Sequence, residues 1–174
     1  SLNRDPIFIN LRTFSFERNF MRNRNFLAIQ TQNGPKTDQI GLVLPTSLCS
    51  GQIAQLITKQ LNQRKLGQDR GISRFVALAH TEGCGASGGS SERLYAQTLI
   101  GHLLHPIVGL GVLLEHGCEK THNDYIKNDL AQLGINSTKY GWASVQLDGG
   151  IDAVTQKIEQ WFDQSVAGLE DVTY

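Results

Sequence analysis

The sequence predicts an α/β fold, a mostly parallel sheet with helices on both faces and antiparallel strands at its N-terminal edge. Three observations carry this expectation. Four short apolar runs are continuous rather than alternating, as strands buried on both faces are. Segments with a helical period fall between and after them. The two kinds of segment alternate along the chain, the pattern of parallel strands joined by crossover helices.

Residues 1–39 are the least regular and are expected to form a strand-containing N-terminal segment of the same domain as the 40–174 core. Phe14, Phe16, Phe20 and Phe26 suggest strands or an extended wrap, and Asn25–Gln30 suits a strand. Asn33-Gly34-Pro35 then signals a turn. The first core strand is Ile40 to Leu44, ended by Pro45, and Ile53, Leu56, Ile57 and Leu61 mark one face of the helix after it. Arg74 to Ala79 is the second strand, and Leu94, Tyr95, Leu99 and Leu103 mark the second helix, stopped before Pro106. Ile107 to Leu114 is the third strand; Ile126, Leu130 and Leu133 mark a helix with Gly134 at its C-terminal end. Trp142 to Leu147 is the fourth strand, followed by a helix through Ile151, Val154, Ile158, Trp161 and Phe162.

Composition narrows the function. The 174 residues carry 16 Lys+Arg and 16 Asp+Glu, so the chain is not the basic protein that a dedicated nucleic-acid binder requires. No apolar run reaches the ~20 residues of a membrane span, and no polybasic anchor is present. Charge is uneven: residues 1–40 hold six basic and three acidic groups, residues 148–174 one lysine and six acids. No signal peptide opens the chain, and it begins with Ser1, which suits a processed or excised segment of a longer parent. Three cysteines cannot all pair internally, so free or metal-bound thiols in a reducing, cytoplasmic setting are expected.

Ligands of open α/β sheets bind outside the carboxyl ends of the strands, which makes the loops there the place to look for chemistry. Cys49, Cys84 and Cys118 each follow a predicted strand, at separations of 35 and 34 residues, about one βαβ unit. Each also precedes a predicted helix, where partial positive charge favours thiolate. Thiolates meeting at one edge call for a counter-charge, for which a metal is suited. The spacing contains no CxxC pair, so it is not a structural zinc pattern. The bland reading is three small buried apolar residues. His80 and His116 lie close to cysteines and are candidates for ligand, general base or substrate donor, or for tying loop backbone. Glycines from Gly83 through Gly85 to Gly89 lead into a helix and expose amides suited to a carboxylate or phosphate. Asp148-Gly149-Gly150 is a weaker candidate of the same kind.

In combination these loops resemble the altronate and galactarate dehydratase family. His80-Thr81-Glu82-Gly83-Cys84-Gly85 resembles its HxxGCG signature, and Pro45-Thr46-Ser47-Leu48-Cys49-Ser50 its TVxCS segment. His105-Pro106, the apolar run after it and Gly117-Cys118-Glu119 resemble NPNVGGVLVVGLGCE, while Gln146, Gly149 and Gly150 sit where the family has a Gln and a Gly-Gly pair. Order and spacing agree over roughly residues 34–165. Two segments depart: Asn33 to Gln39 lacks the arginines of the family's DGRxGxRN stretch, and His116 and Lys120-Thr121-His122 differ from GLGCENNQ.

The resemblance implies the middle domain of a longer, metal-dependent hydro-lyase that removes water from a sugar acid to give a 2-keto-3-deoxy acid. The expected cofactor is iron, as Fe2+ or an iron–sulfur cluster, or Mn2+, held by Cys49, Cys84 and Cys118. His80 and His116, with Lys120 behind them, are the acid/base candidates; Thr46, Ser47, Gly83, Gly85, Gln146, Gly149 and Gly150 would line the substrate. Expected partners are the sugar acid and further domains of the parent chain, with room for a homo-oligomer and none for nucleic acid or membrane. The rival readings are a non-catalytic scaffold or interaction module derived from that family, and thiol chemistry at a single cysteine such as Cys84.

Overall fold

The computed structural model describes residues 28–31, 34–85 and 88–169. The expected aromatic wrap over Phe14, Phe16, Phe20 and Phe26 lies outside them. A short hairpin opens the described part: β1 (Ile29–Thr31) pairs antiparallel with β2 (Gly34–Lys36). Gly34 and Pro35, expected in a turn, belong to β2.

The core follows the expected alternation. Strands β3 (Ile40–Pro45), β4 (Arg74–Ala77), β5 (Val108–Glu115) and β6 (Gly141–Ser144) form one sheet, ordered β4-β3-β5-β6, with every pairing parallel. Helices α1 (Leu48–Gln63), α2 (Gly89–Leu103), α3 (Asn123–Gln132) and α4 (Ile151–Ala167) cover both faces. Strand alternation divides the core in two. Val43, Val112 and Leu114 face α1 and α4, where Ile57, Leu61, Ile158 and Phe162 meet them. Leu42, Leu44 and Leu113 face α2 and α3, against Leu99, Leu103, Ile126 and Leu130. On the first face Phe75 meets Phe162 edge-on at 4.9 Å, and Gly41 leaves the space its ring occupies, since a Cβ there would lie 2.4 Å from it.

Two strands end earlier than the apolar runs suggested. β4 stops at Ala77 rather than Ala79, and β6 at Ser144 rather than Leu147. Val145 is still buried against the α1/α4 core and still donates to Glu115, but the chain is already turning, fixed by Asp148, whose carboxylate accepts from the Ser144 amide at 2.7 Å. At the other margin β4 is the edge strand among the described residues, and outward groups of Phe75 are taken by a side chain. Asn62 of α1 donates to the Phe75 carbonyl at 2.9 Å and accepts from the Phe75 amide at 2.7 Å. Gly134, at φ +70°, follows α3 as expected.

Candidate functional site at the carboxyl edge of the sheet

β3 and β5 are neighbours although β4 lies between them in the chain, so the strand order reverses there. The loops that leave this reversal carry the thiols. Cys49 is the second residue of α1 and Cys84 sits in the loop after β4; their sulfurs are 3.3 Å apart. Two features bring them together. The Leu48 amide donates to the Glu82 carbonyl at 2.9 Å. Gly83, at φ +101°, passes so close to the β3 loop that a Cβ would lie 2.5 Å from the Thr46 carbonyl oxygen.

Cys118, in the loop after β5, meets a different partner: its sulfur is 3.4 Å from Nδ1 of His116. All three cysteines are free and exposed. The Cys49 thiol is pushed above its ordinary value, first by its hydrogen bond with Cys84, then by desolvation and the negative charge of Cys84, Cys118 and Glu119. The edge therefore gathers its donors as two pairs, Cys49–Cys84 and His116–Cys118. Among the described residues no group of three or more His, Cys, Asp or Glu side chains is close enough to hold a metal ion.

Glu119 joins the two sides of the reversal. It is buried, its carboxylate accepts from the Thr46 hydroxyl at 2.7 Å, and it also accepts from the amides of His116, Gly117 and Cys118 at 2.8, 2.7 and 2.9 Å. Burial pushes its pKa up. Hydrogen bonds from its own amide, Thr46, His116 and Gly117 more than offset this and hold it at about 2. The side chain thus occupies an amide nest that would otherwise attract an external anion.

The remaining expected residues divide by exposure and partners. Thr46 and Ser47 are fully buried; Thr46 binds Glu119, and the Ser47 hydroxyl lies 3.4 Å from that of Ser50. They shape the β3 loop from within. His80 has both ring nitrogens engaged: Nδ1 accepts from the Glu82 amide, and Nε2 lies 2.9 Å from the Pro45 carbonyl and 3.2 Å from the Tyr95 hydroxyl. This is the loop-tying role for that histidine. Tyr95, whose hydroxyl donates to the Thr46 carbonyl at 2.9 Å, has its pKa raised by burial and then by the charges of Glu119, Cys84 and Glu82. A largely apolar cleft of about 510 Å³ opens beside these two rings, between α2 and the end of β4.

His116 is half-buried and Lys120 exposed, both next to Cys118. Gln146 packs over Gly117, where a Cβ would lie 2.7 Å from Gln146 Oε1. The Gly150 amide donates to Val145, and Asp148 also holds Lys157 at 2.7 Å, so the Asp148-Gly149-Gly150 turn is largely closed on itself. In the glycine loop, Gly88 donates to Glu92, whereas the amides of Gly83, Cys84 and Gly85 donate to no protein group among the described residues. Glu119, Tyr95 and Glu92 were not anticipated. An acid directly after a Gly-Cys turn is the signal that would have pointed to Glu119.

An open parallel α/β domain with paired thiols at its strand-order reversal defines the class. The model of the D-galactarate dehydratase/altronate hydrolase second domain matches residues 39–169, and the chain belongs to that family. Curated proteins and solved structures give no match to it. Among the described residues no helix is long and apolar enough to cross a membrane.

Proposed function

We propose that this chain is the thiol-bearing domain of a hydro-lyase that dehydrates a sugar acid of the altronate or galactarate type. The family assignment supports the substrate class. The observation that carries the chemistry is the meeting of Cys49 and Cys84 at 3.3 Å, with His116 and Cys118 on the neighbouring loop. Sulfurs that share one ion at ~2.3 Å each lie about 4 Å apart, so the pair needs little adjustment. Thiolate and imidazole donors suit iron better than manganese, which favours oxygen ligands. Cys49 and Cys84 would hold the ion, with Cys118 or His116 brought up as a further ligand. When bound, it would supply Lewis acidity toward the hydroxyl that leaves.

The other tasks belong to the chain. The amides of Gly83, Cys84 and Gly85, which donate to no group among the described residues, are suited to the substrate carboxylate. Nε2 of His116 has no hydrogen-bond partner among the described residues, which leaves that atom to exchange a proton with the substrate; Lys120 is the second candidate. His80, held at both nitrogens, positions the loop that carries Cys84. A non-catalytic module derived from the family is the alternative, favoured by the absence of a converged triad among the described residues. Anaerobic loading with Fe(II), followed by elemental analysis, separates the two. Stoichiometric iron that is lost in Cys49→Ser and Cys84→Ser supports the enzyme; no uptake by the reduced chain supports the module.

A further inference from the structure

We propose that Cys49 and Cys84 are an oxidation site, forming a reversible disulfide that leaves Cys118 free. The bond needs only these two thiols and stands whether or not the edge holds a metal. Two free, exposed sulfurs 3.3 Å apart need to close by little more than 1 Å to reach the ~2.05 Å of a disulfide. Their approach is set by backbone, not by the thiols themselves. The Leu48–Glu82 hydrogen bond and the close passage of Gly83 against Thr46 and Ser47 fix the two loops to each other. Held this way, each thiol has a high effective concentration for the other.

Cys118 differs from the pair in its contacts. Its sulfur is occupied with His116, and the Glu119 carboxylate pins its amide along with the two before it.

The oxidant is a peroxide. One thiolate attacks a peroxide oxygen, the O–O bond breaks, hydroxide leaves and takes up a proton as water, and the sulfur becomes a sulfenic acid. The second thiol then attacks that sulfur; the S–S bond forms as the S–O bond breaks, and a second water carries away the hydroxyl and the thiol proton. Two electrons pass from the sulfur pair to the peroxide. A dithiol reductant reverses the change by thiol–disulfide exchange. Oxidation would remove both thiols of the pair from any metal.

The test treats the reduced, metal-free 174-residue chain with a small excess of hydrogen peroxide and reads intact mass and a non-reducing peptide map. The expected result is a loss of about 2 Da, two hydrogens, with the peptides of Cys49 and Cys84 linked. Dithiothreitol should restore the mass. Cys118→Ser should form the same bond at a rate within about twofold of the parent, having lost neither partner. Cys49→Ser and Cys84→Ser should each lose it while keeping the parent's circular dichroism. A link to Cys118, or conversion of both thiols to sulfinic and sulfonic acids with no cross-link, overturns the proposal. A chain that forms the bond but takes up no Fe(II) refutes the metal reading and leaves this one intact.

Discussion

At the scale of single residues, Glu119 does most to hold the edge together. One carboxylate satisfies three successive amides and a buried hydroxyl, and so fastens the β5 loop to the β3 loop across the strand-order reversal. Its pKa of about 2, against an ordinary 4.5, has a stability consequence of definite sign. The unfolded chain binds the proton more tightly, so the contribution is full above pH ~4.5 and is lost as pH falls toward ~2. Discounted because the loop borders solvent, it is worth on the order of 2 kcal/mol. Glu119→Gln should lower stability at neutral pH by about that amount, and its urea midpoint should fall less steeply than the parent's below pH ~4.5. Parallel acid limbs in the two proteins would show that the charge is not what the loop uses. Gly83→Ala is a second case: with φ +101° and backbone in the way of any Cβ, it should cost about 2 kcal/mol or more and part the Cys49–Cys84 pair. Thiol-labelling rates would report the parting. Glu119 was hard to read in the sequence because a carboxylate in a loop ordinarily faces water. The cysteines were legible because their spacing repeats the βαβ unit, and their grouping into two pairs was not, because it depends on loop conformation.

At the scale of elements, the strands were legible in kind and less so in extent. An apolar run marks burial, and burial continues past the last ladder bond: Val145 packs in the core while its chain already turns under Asp148. Periodicity cannot separate a strand from a buried turn. Edges were also hidden, since β4 reads like a central strand although, among the described residues, only β3 pairs with it. The amide of Asn62 stands in for the missing neighbour by closing both backbone groups of Phe75. Such a device discourages a second chain from adding to the sheet. Asn62→Ala should therefore destabilise the fold by about 1–2 kcal/mol, the cost of unsatisfied half-buried backbone groups. It should also raise self-association, measured by sedimentation at rising concentration. Asn62→Asp keeps the acceptor and loses the donor, and should fall between the two. An Asn62→Ala chain with the parent's stability and sedimentation would mean that the edge is protected by other means.

At the scale of the whole molecule, stability and the proposed chemistry rest on different parts. Both faces of the sheet are covered by their own helix pair, and the two cores are built from alternate residues of the same strands. Nothing in that arrangement calls on another domain, so the chain should unfold in one cooperative transition. The carboxyl edge is different. Its three thiols are exposed, and Leu48, Leu147 and Ile151, on the loops and helix starts leaving the same edge, are apolar and about half or more exposed. Removing the weakly acidic α-proton of a hydroxy acid needs a base and a charge-stabilising group in a site from which water is excluded. An open edge does not exclude water, and the family in which this chain falls describes it as a second domain. The isolated chain, loaded anaerobically with Fe(II), should therefore bind the metal without turning over altronate or galactarate. If the proposed function holds, supplying the other domains that the family's second domain accompanies, in trans or as one chain, should give turnover. Release of 2-keto-3-deoxy acid can be followed by the semicarbazide or thiobarbiturate reaction. Steady product formation by the 174-residue chain alone would show that this edge is a complete active site and that the exposed leucines have another use.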